Sequence, residues 1–147
     1  MRVLFAAEED AWGGILAKFR QALPDVEFVA AGGYELKTLA GFDALIPTMS
    51  RVDAPLLATA DRLKLIQQIG AGLEGVDRQA AEARGIEVAN VPTDISGNAD
   101  SVAELGIWMM LGLARQAKRI PEFLADRQLG GPIGMGLKGK TAGIVGL

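Results

Sequence analysis

Residues Leu63–Asp77 read LKLIQQIGAGLEGVD, and the fold turns on how this stretch is understood. Leu63–Ile69 has the look of a strand buried on both faces, since apolar residues dominate without strict alternation. It runs into a glycine loop, Gly70-Ala71-Gly72-Leu73-Glu74-Gly75, and then into a predicted helix. Taken literally the loop is G-x-G-x-x-G, with Asp94 about twenty residues on, where the ribose-binding acid of a dinucleotide fingerprint would stand. One reading has exposed backbone N–H groups at a helix start binding an anion, either phosphate or carboxylate. The other has a tight strand–helix turn that is merely glycine-rich. The loop by itself does not choose between them.

Working outward, the same strand-then-helix unit recurs. Arg2–Ala7 (RVLFAA) is a continuous apolar run, the pattern of a doubly buried strand. Glu8-Glu9-Asp10 ends it and places negative charge at the start of a helix with Trp12, Ile15, Leu16, Phe19 and Leu23 on one stripe. Val26–Ala31, Ala44–Pro47 and Ile86–Val91 are further strands; short helices are predicted near Glu35–Leu39, from Asp53-Ala54-Pro55 to Ala60, and over Arg78–Arg84 up to Gly85. This alternation predicts an α/β fold: a flavodoxin-like, doubly wound parallel sheet with right-handed crossovers. Such sheets work at the carboxyl ends of their strands. The loops to watch are therefore Glu8–Asp10, Thr48–Asp53, Gly70–Gly75 and Pro92–Asn98.

Composition removes several functions. The 147 residues carry a net charge of −3, and half of them are apolar. With a pI near 5.0 and a mean hydropathy of +0.24, the chain should be ordered and have no nucleic-acid or anionic-membrane partner. The longest apolar run, Leu105–Ala114, is too short to span a membrane, and no signal peptide is legible before the acids at Glu8–Asp10. Absence of cysteine fits a cytoplasmic location and excludes thiol nucleophiles and thiolate metal sites. There is also no histidine, so any acid–base chemistry performed by this chain alone must use carboxylates, Lys or Arg.

After Pro92 the pattern changes. A turn-like Thr93–Gly97 precedes a long helix from about Asn98 to Arg119, opened by the capping-box pattern Ser101-Val102-Ala103-Glu104 and closed by Arg115, Lys118 and Arg119. Its middle is apolar nearly all round, which suits a core helix or one covered on a second side by another domain or subunit. Glycine-rich Gly130–Gly136 follows, and Thr141–Leu147 (TAGIVGL) is read as another buried strand.

Two clusters need weighing. Glu8-Glu9-Asp10 would hold Mg²⁺ in a receiver-like sheet, but the third strand ends in Pro47-Thr48-Met49-Ser50 without an acid, so a helix-start charge accounts for it better. Arg51, beside Ser50 in a working-edge loop, is either a partner for a substrate carboxylate or a solvated charge.

Three stretches together resemble the D-isomer-specific 2-hydroxyacid dehydrogenases: Leu63–Pro92, Gly97–Gln116 and Leu137–Leu147. In order and spacing they are similar to that family's substrate-domain loop and last strand, its interdomain helix, and the first strand of its Rossmann domain. The resemblance implies that residues 1–97 form a flavodoxin-like substrate domain and that residues 98–147 hold the interdomain helix and the start of an NAD-binding domain. It implies substrate contacts from backbone N–H groups near Ala71 and Gly72, from Asn98, and with less specificity from Ser50 and Arg51. Val102 would pack near the nicotinamide, and Gly146 would begin the cofactor fingerprint of NAD or NADP. The family's catalytic Arg, Glu and His would lie beyond Leu147, so the chain itself should be inert toward its 2-oxo or 2-hydroxy acid. Homodimerisation through the 98–119 helix region, with exchange of the C-terminal tail, is a further expectation. The rival expectation is a free-standing phosphate- or nucleotide-binding module using Gly70–Gly75, and a third is a purely structural association module resting on the Trp108–Met110 helix.

Overall fold

Strand β1 (Arg2–Phe5) can carry three apolar residues in succession, Val3, Leu4 and Phe5, because both of its faces are covered. In the computed structural model, which describes residues 1–145, Val3 and Phe5 pack into one apolar cluster and Leu4 into another. Period-two alternation of side chains demands this split. Four more strands join β1 in parallel: β2 (Glu27–Ala30), β3 (Ala44–Ile46), β4 (Leu65–Gln67) and β5 (Glu87–Ala89), in the order β2-β1-β3-β4-β5. The register sets Leu4 beside Leu45, Leu45 beside Ile66 and Ile66 beside Val88, a row across the sheet that faces one cluster. Each such side chain, fully buried, contributes about 1.5–3 kcal/mol of transfer free energy.

Helices close both faces. Helix α1 (Ala11–Ala22) brings Leu16, Ile15 and Phe19 onto the Phe5 side, where the Phe19 and Phe28 rings lie 5.8 Å apart. Helices α2 (Ala54–Ala58) and α3 (Arg78–Glu82) bring Leu56, Leu57 and Ala81 onto the Leu45 side. Asp53 caps α2 by accepting from Leu56 N–H at 3.1 Å, with Pro55 in the first turn, and Asp77 caps α3 by accepting from Ala80 N–H at 3.0 Å. The expected doubly wound parallel α/β sheet is therefore present.

Several local expectations are corrected. No helix forms near Glu35–Leu39; Leu39 is buried, and the backbone there is satisfied by side chains, with Leu39 N–H donating to Thr59 Oγ1 at 2.8 Å and Gly41 N–H to Asp61 at 2.8 Å. The start of α1 is not regular: Trp12, Gly13 and Gly14 all have positive φ (57°, 67°, 75°). Trp12, in this irregular turn, and Leu23, just past the end of α1, are exposed rather than part of the buried stripe.

The chain divides into two compact units, Met1–Ser96 and Gly97–Leu147. Helix α4 (Thr93–Ser96), one turn where a simple turn was expected, ends the first. In the second, α5 (Asn98–Ala114) follows Gly97, whose φ of 68° sets the break. The capping box does not form; Ser101 Oγ instead lies 3.2 Å from the Gly97 carbonyl oxygen, one turn back inside the helix. Helix α5 stops at Ala114, short of the expected Arg119, because Gln116 adopts φ 52°. A 3-10 turn (Ala117–Arg119) and α6 (Ile120–Ala125) follow. The strand expected over 141–147 is absent from its described part: residues 141–145 are irregular, and Ile144 and Val145 are exposed. A parallel strand needs a neighbour to satisfy its backbone, and none of the described strands pairs with it. Gly146 and Leu147 lie outside the described residues. Among the described residues no helix is long and apolar enough to cross a membrane.

Candidate functional site

Neighbouring β1 and β3 start crossovers that leave in opposite directions, so their carboxyl ends form the switch point of the sheet. Here Thr48, with φ 51° and buried, donates its hydroxyl to the carbonyl of Ala6 and ties the two strand ends together. Gln68 extends the tie to β4: its Nε2 donates to Thr48 O at 2.9 Å, and its Oε1 accepts from Ile69 N–H at 2.9 Å. Ser50 is also buried, its hydroxyl donating to Tyr34 O at 2.6 Å.

The glycine loop is held at both ends. Asn90 Nδ2 donates to Ala71 O at 2.7 Å, and Val91 N–H to Gly70 O at 3.1 Å, fastening its start to the end of β5. Its far end joins the 50–53 loop through a parallel bridge between Val52 and Val76, in which Val52 N–H donates to Gly75 O and Asp77 N–H to Val52 O, each at 2.8 Å. Among the described residues none accepts a hydrogen bond from the backbone N–H groups of residues 70–75. Six successive donors are thereby left for solvent or a ligand. Helix α3 begins only at Arg78, so these donors belong to the loop itself and not to a helix terminus as the sequence had suggested.

A cavity of about 470 Å³ opens against this loop, lined by Trp12, Thr48, Met49, Ser50, Gln68, Ile69, Gly70, Gly72, Glu74 and Gly75. Arg51 lines a different, adjacent hollow of about 440 Å³ with Val52, Asp53 and Asp77. Of the residues predicted from sequence, Ser50 and Gly72 therefore share one cavity, Ala71 belongs to the loop that borders it, and Arg51 faces its neighbour. Asn98 and Val102 lie one turn apart on α5 in the second unit, Val102 exposed. Gly146 lies outside the described residues. A larger hollow between α3 and β5, about 620 Å³ and lined by Arg78, Gln79, Glu82 and Glu87, sits away from the carboxyl ends of the strands.

Sequence reasoning missed Trp12, Thr48, Gln68, Glu74 and Asn90 as site residues. Gln68 had a partial signal, an amide side chain at the carboxyl end of a predicted strand, immediately before the glycine loop. Thr48 had none, because its bond to Ala6 joins residues 42 positions apart and threonine is not a residue type that marks a positive φ.

Glu8-Glu9-Asp10 holds no metal cluster: among the described residues no three potential ligands converge. Glu9 instead pairs with Arg20 of α1. The hydrogen bond from Arg20 lowers the Glu9 pKa from its ordinary value and raises that of Arg20.

The family model described as D-isomer specific 2-hydroxyacid dehydrogenase, catalytic domain, matches residues 7–141. D-3-phosphoglycerate dehydrogenase of Archaeoglobus fulgidus is 38% identical over 110 residues, covering 70% of this chain and 19% of that protein. Its counterpart in Rattus norvegicus is 33% identical over 137 residues, covering 92% of this chain and 24% of its own length. Among solved structures, the NAD⁺-bound 3-phosphoglycerate dehydrogenase of Entamoeba histolytica gives a TM-score of 0.66 at 25% identity, covering 78% of this chain and 39% of that one. A glyoxylate/hydroxypyruvate reductase of Sinorhizobium meliloti, in complex with NADP and malonate, gives 0.71 at 23% identity over 95% of this chain and 44% of that one, a likeness of fold. The chain thus spans about a fifth of the length of the curated relatives it matches.

Proposed function

The chain belongs to the D-isomer specific 2-hydroxyacid dehydrogenase family, and on that premise we propose that its cavity is the substrate wall of an NAD(P)-dependent oxidoreductase interconverting D-2-hydroxy acids and 2-oxo acids. One observation supports this reading: among the described residues none accepts from the six consecutive backbone N–H groups of residues 70–75, and four of these residues, Gly70, Gly72, Glu74 and Gly75, line a cavity at the carboxyl edge of the sheet. A carboxylate accepts two or more such bonds, so the loop fixes the acid end of the substrate and leaves its 2-oxo carbon facing outward. Nicotinamide would supply the hydride. Val102, an exposed apolar side chain on α5, fits the face of such a ring. Asn98 is assigned to substrate, and Gly146 to the first turn of the cofactor fingerprint. Residues 1–97 serve as substrate domain, and residues 98–147 as interdomain helix and start of the cofactor domain.

Without histidine the chain lacks the usual proton carrier at neutral pH, and we expect it to bind substrate without turning it over. Helix α5 exposes Leu105, Ile107, Trp108, Met109 and Leu113. An apolar face of that extent needs a cover, which supports a homodimer formed through this helix region. A cytoplasmic location fits the absence of cysteine.

Amide-resolved NMR of the ¹⁵N-labelled chain tests the proposal. Pyruvate should shift the amides of residues 70–75 in a saturable way. Shifts confined to other residues, or tight binding of NAD or FMN at this loop that Gly72→Val abolishes, would favour a free-standing nucleotide-binding module instead. Turnover of pyruvate with NADH by the purified chain would refute its expected inertness.

A further inference from the structure

We propose that this cavity selects 2-oxo and 2-hydroxy acids with an uncharged, apolar side chain and disfavours those bearing a second anionic group, whether carboxylate or phosphate. The inference rests on the proposed role of the 70–75 loop as carboxylate cradle and names the substrate class that the same cavity admits.

No cation lines the cavity among the described residues, and its one ionisable side chain is Glu74. That carboxylate folds back over the loop so closely that a Cβ added at Gly72 would meet its oxygens. The cavity's hydroxyls are already committed: Thr48 donates to Ala6 O and Ser50 to Tyr34 O. Gln68 is engaged through both ends of its amide. Anion recognition is left to the loop N–H groups, enough for one carboxylate. A second anion entering the cavity would meet one negative side chain and no positive one in its lining, since Arg51 lines the adjacent hollow.

What remains of the wall is apolar. Ile69 lines it, and Trp12 and Met49 stand exposed at it. Trp12 is held there by strained backbone, since it opens three successive left-handed residues of which it is the one that is not glycine. Bulky residues adopt that conformation at a cost and are kept there when the surrounding structure requires it. Its indole gives an apolar side chain a surface to pack on.

Titrations of the labelled 147-residue chain with 4-methyl-2-oxopentanoate, 2-oxoglutarate and 3-phosphoglycerate provide the test, read at the amides of residues 70–75. The apolar monoacid should bind about tenfold more tightly than either acid bearing a second anionic group, as expected for like charges a few ångströms apart in a partly wet cavity. Glu74→Gln should narrow that gap to about twofold, and Trp12→Ala should weaken only the apolar acid. Glu74 is exposed, so its replacement leaves the core intact. Equal or tighter binding of the acids with a second anionic group by the unaltered chain overturns the selectivity while leaving the cradle standing, as does a gap that Glu74→Gln leaves unchanged. Failure of all three acids to shift residues 70–75 overturns the cradle and the selectivity together.

Discussion

Gly75 is where the candidate site and the stability of the sheet edge meet, and Gly75→Ala measures how tightly they are joined. An added Cβ would lie 3.2 Å from the backbone carbonyl oxygen of Ser50. That oxygen cannot swing away as a side chain would, because Gly75 O and Val52 N–H are bonded at 2.8 Å in the bridge that joins the two loops. One methyl forced into such a place costs about 1–3 kcal/mol. Loss of glycine's freedom in the unfolded chain returns about 0.4–1 kcal/mol. A net destabilisation of about 1 kcal/mol is expected. Gly70 provides the internal control: nothing lies within 4 Å of its added Cβ and its φ is not in the left-handed range, so Gly70→Ala keeps only the favourable part. Urea unfolding of both variants, followed by far-UV circular dichroism, should place Gly75→Ala about 1–2 kcal/mol below Gly70→Ala at unchanged m-value. Amide shifts in Gly75→Ala should spread to Val52 and Asp77. Equal stability of the two variants would refute the claim that the loops are clamped at this point.

Other positions give independent checks. Replacing Ile66, fully buried on the interior strand β4, by alanine should cost about 2–5 kcal/mol of stability, measured by the same urea titration. Asp53→Ala removes the cap that accepts from Leu56 N–H and should cost about 1 kcal/mol, whereas Asp53→Asn should retain most of it. Asp61 has its pKa lowered chiefly by accepting a hydrogen bond from Gly41 N–H. A depressed folded-state pKa gives stability that is full above the ordinary aspartate range and is lost as pH falls through the folded value. Asp61→Asn should therefore lower stability at neutral pH and flatten the acid limb of a melting-temperature profile below about pH 4; an unchanged acid limb would show that Asp61 plays no part in it.

The sheet was legible in the sequence because burial on both faces leaves a signal in composition: Val3, Leu4 and Phe5, and likewise Ala44–Ile46, are apolar without alternation, whatever their neighbours. The start of α2 at Asp53-Ala54-Pro55 was legible for a similar reason, since the side chain that opens the helix also satisfies it. What escaped was set by contacts distant in sequence. The 35–39 segment meets the requirements of a short helix, yet Thr59 and Asp61 satisfy its backbone from another part of the chain. Ser101 and Glu104 spell a capping box, but Gly97 starts α5 one turn earlier. The end of α5 depends on Gln116, whose side chain donates to Ile133 O at 2.6 Å and accepts from Arg119 at 2.9 Å, contacts that no periodicity reveals.

The glycine loop shows how one sequence pattern separates into two chemistries. In a pyrophosphate cradle the loop leads directly into a helix whose terminus faces the phosphates. Here the chain passes Gly75, pairs with Val52, and only at Arg78 turns helical. The helix terminus is thus removed from the donors, and its first turn is already capped by Asp77. Backbone N–H groups remain without the positive end of a helix behind them, and with Glu74 folded over them. Such a field suits a single carboxylate far better than the charge of a pyrophosphate. The feature that first suggested a nucleotide is therefore, in its folded setting, an argument for a small acid.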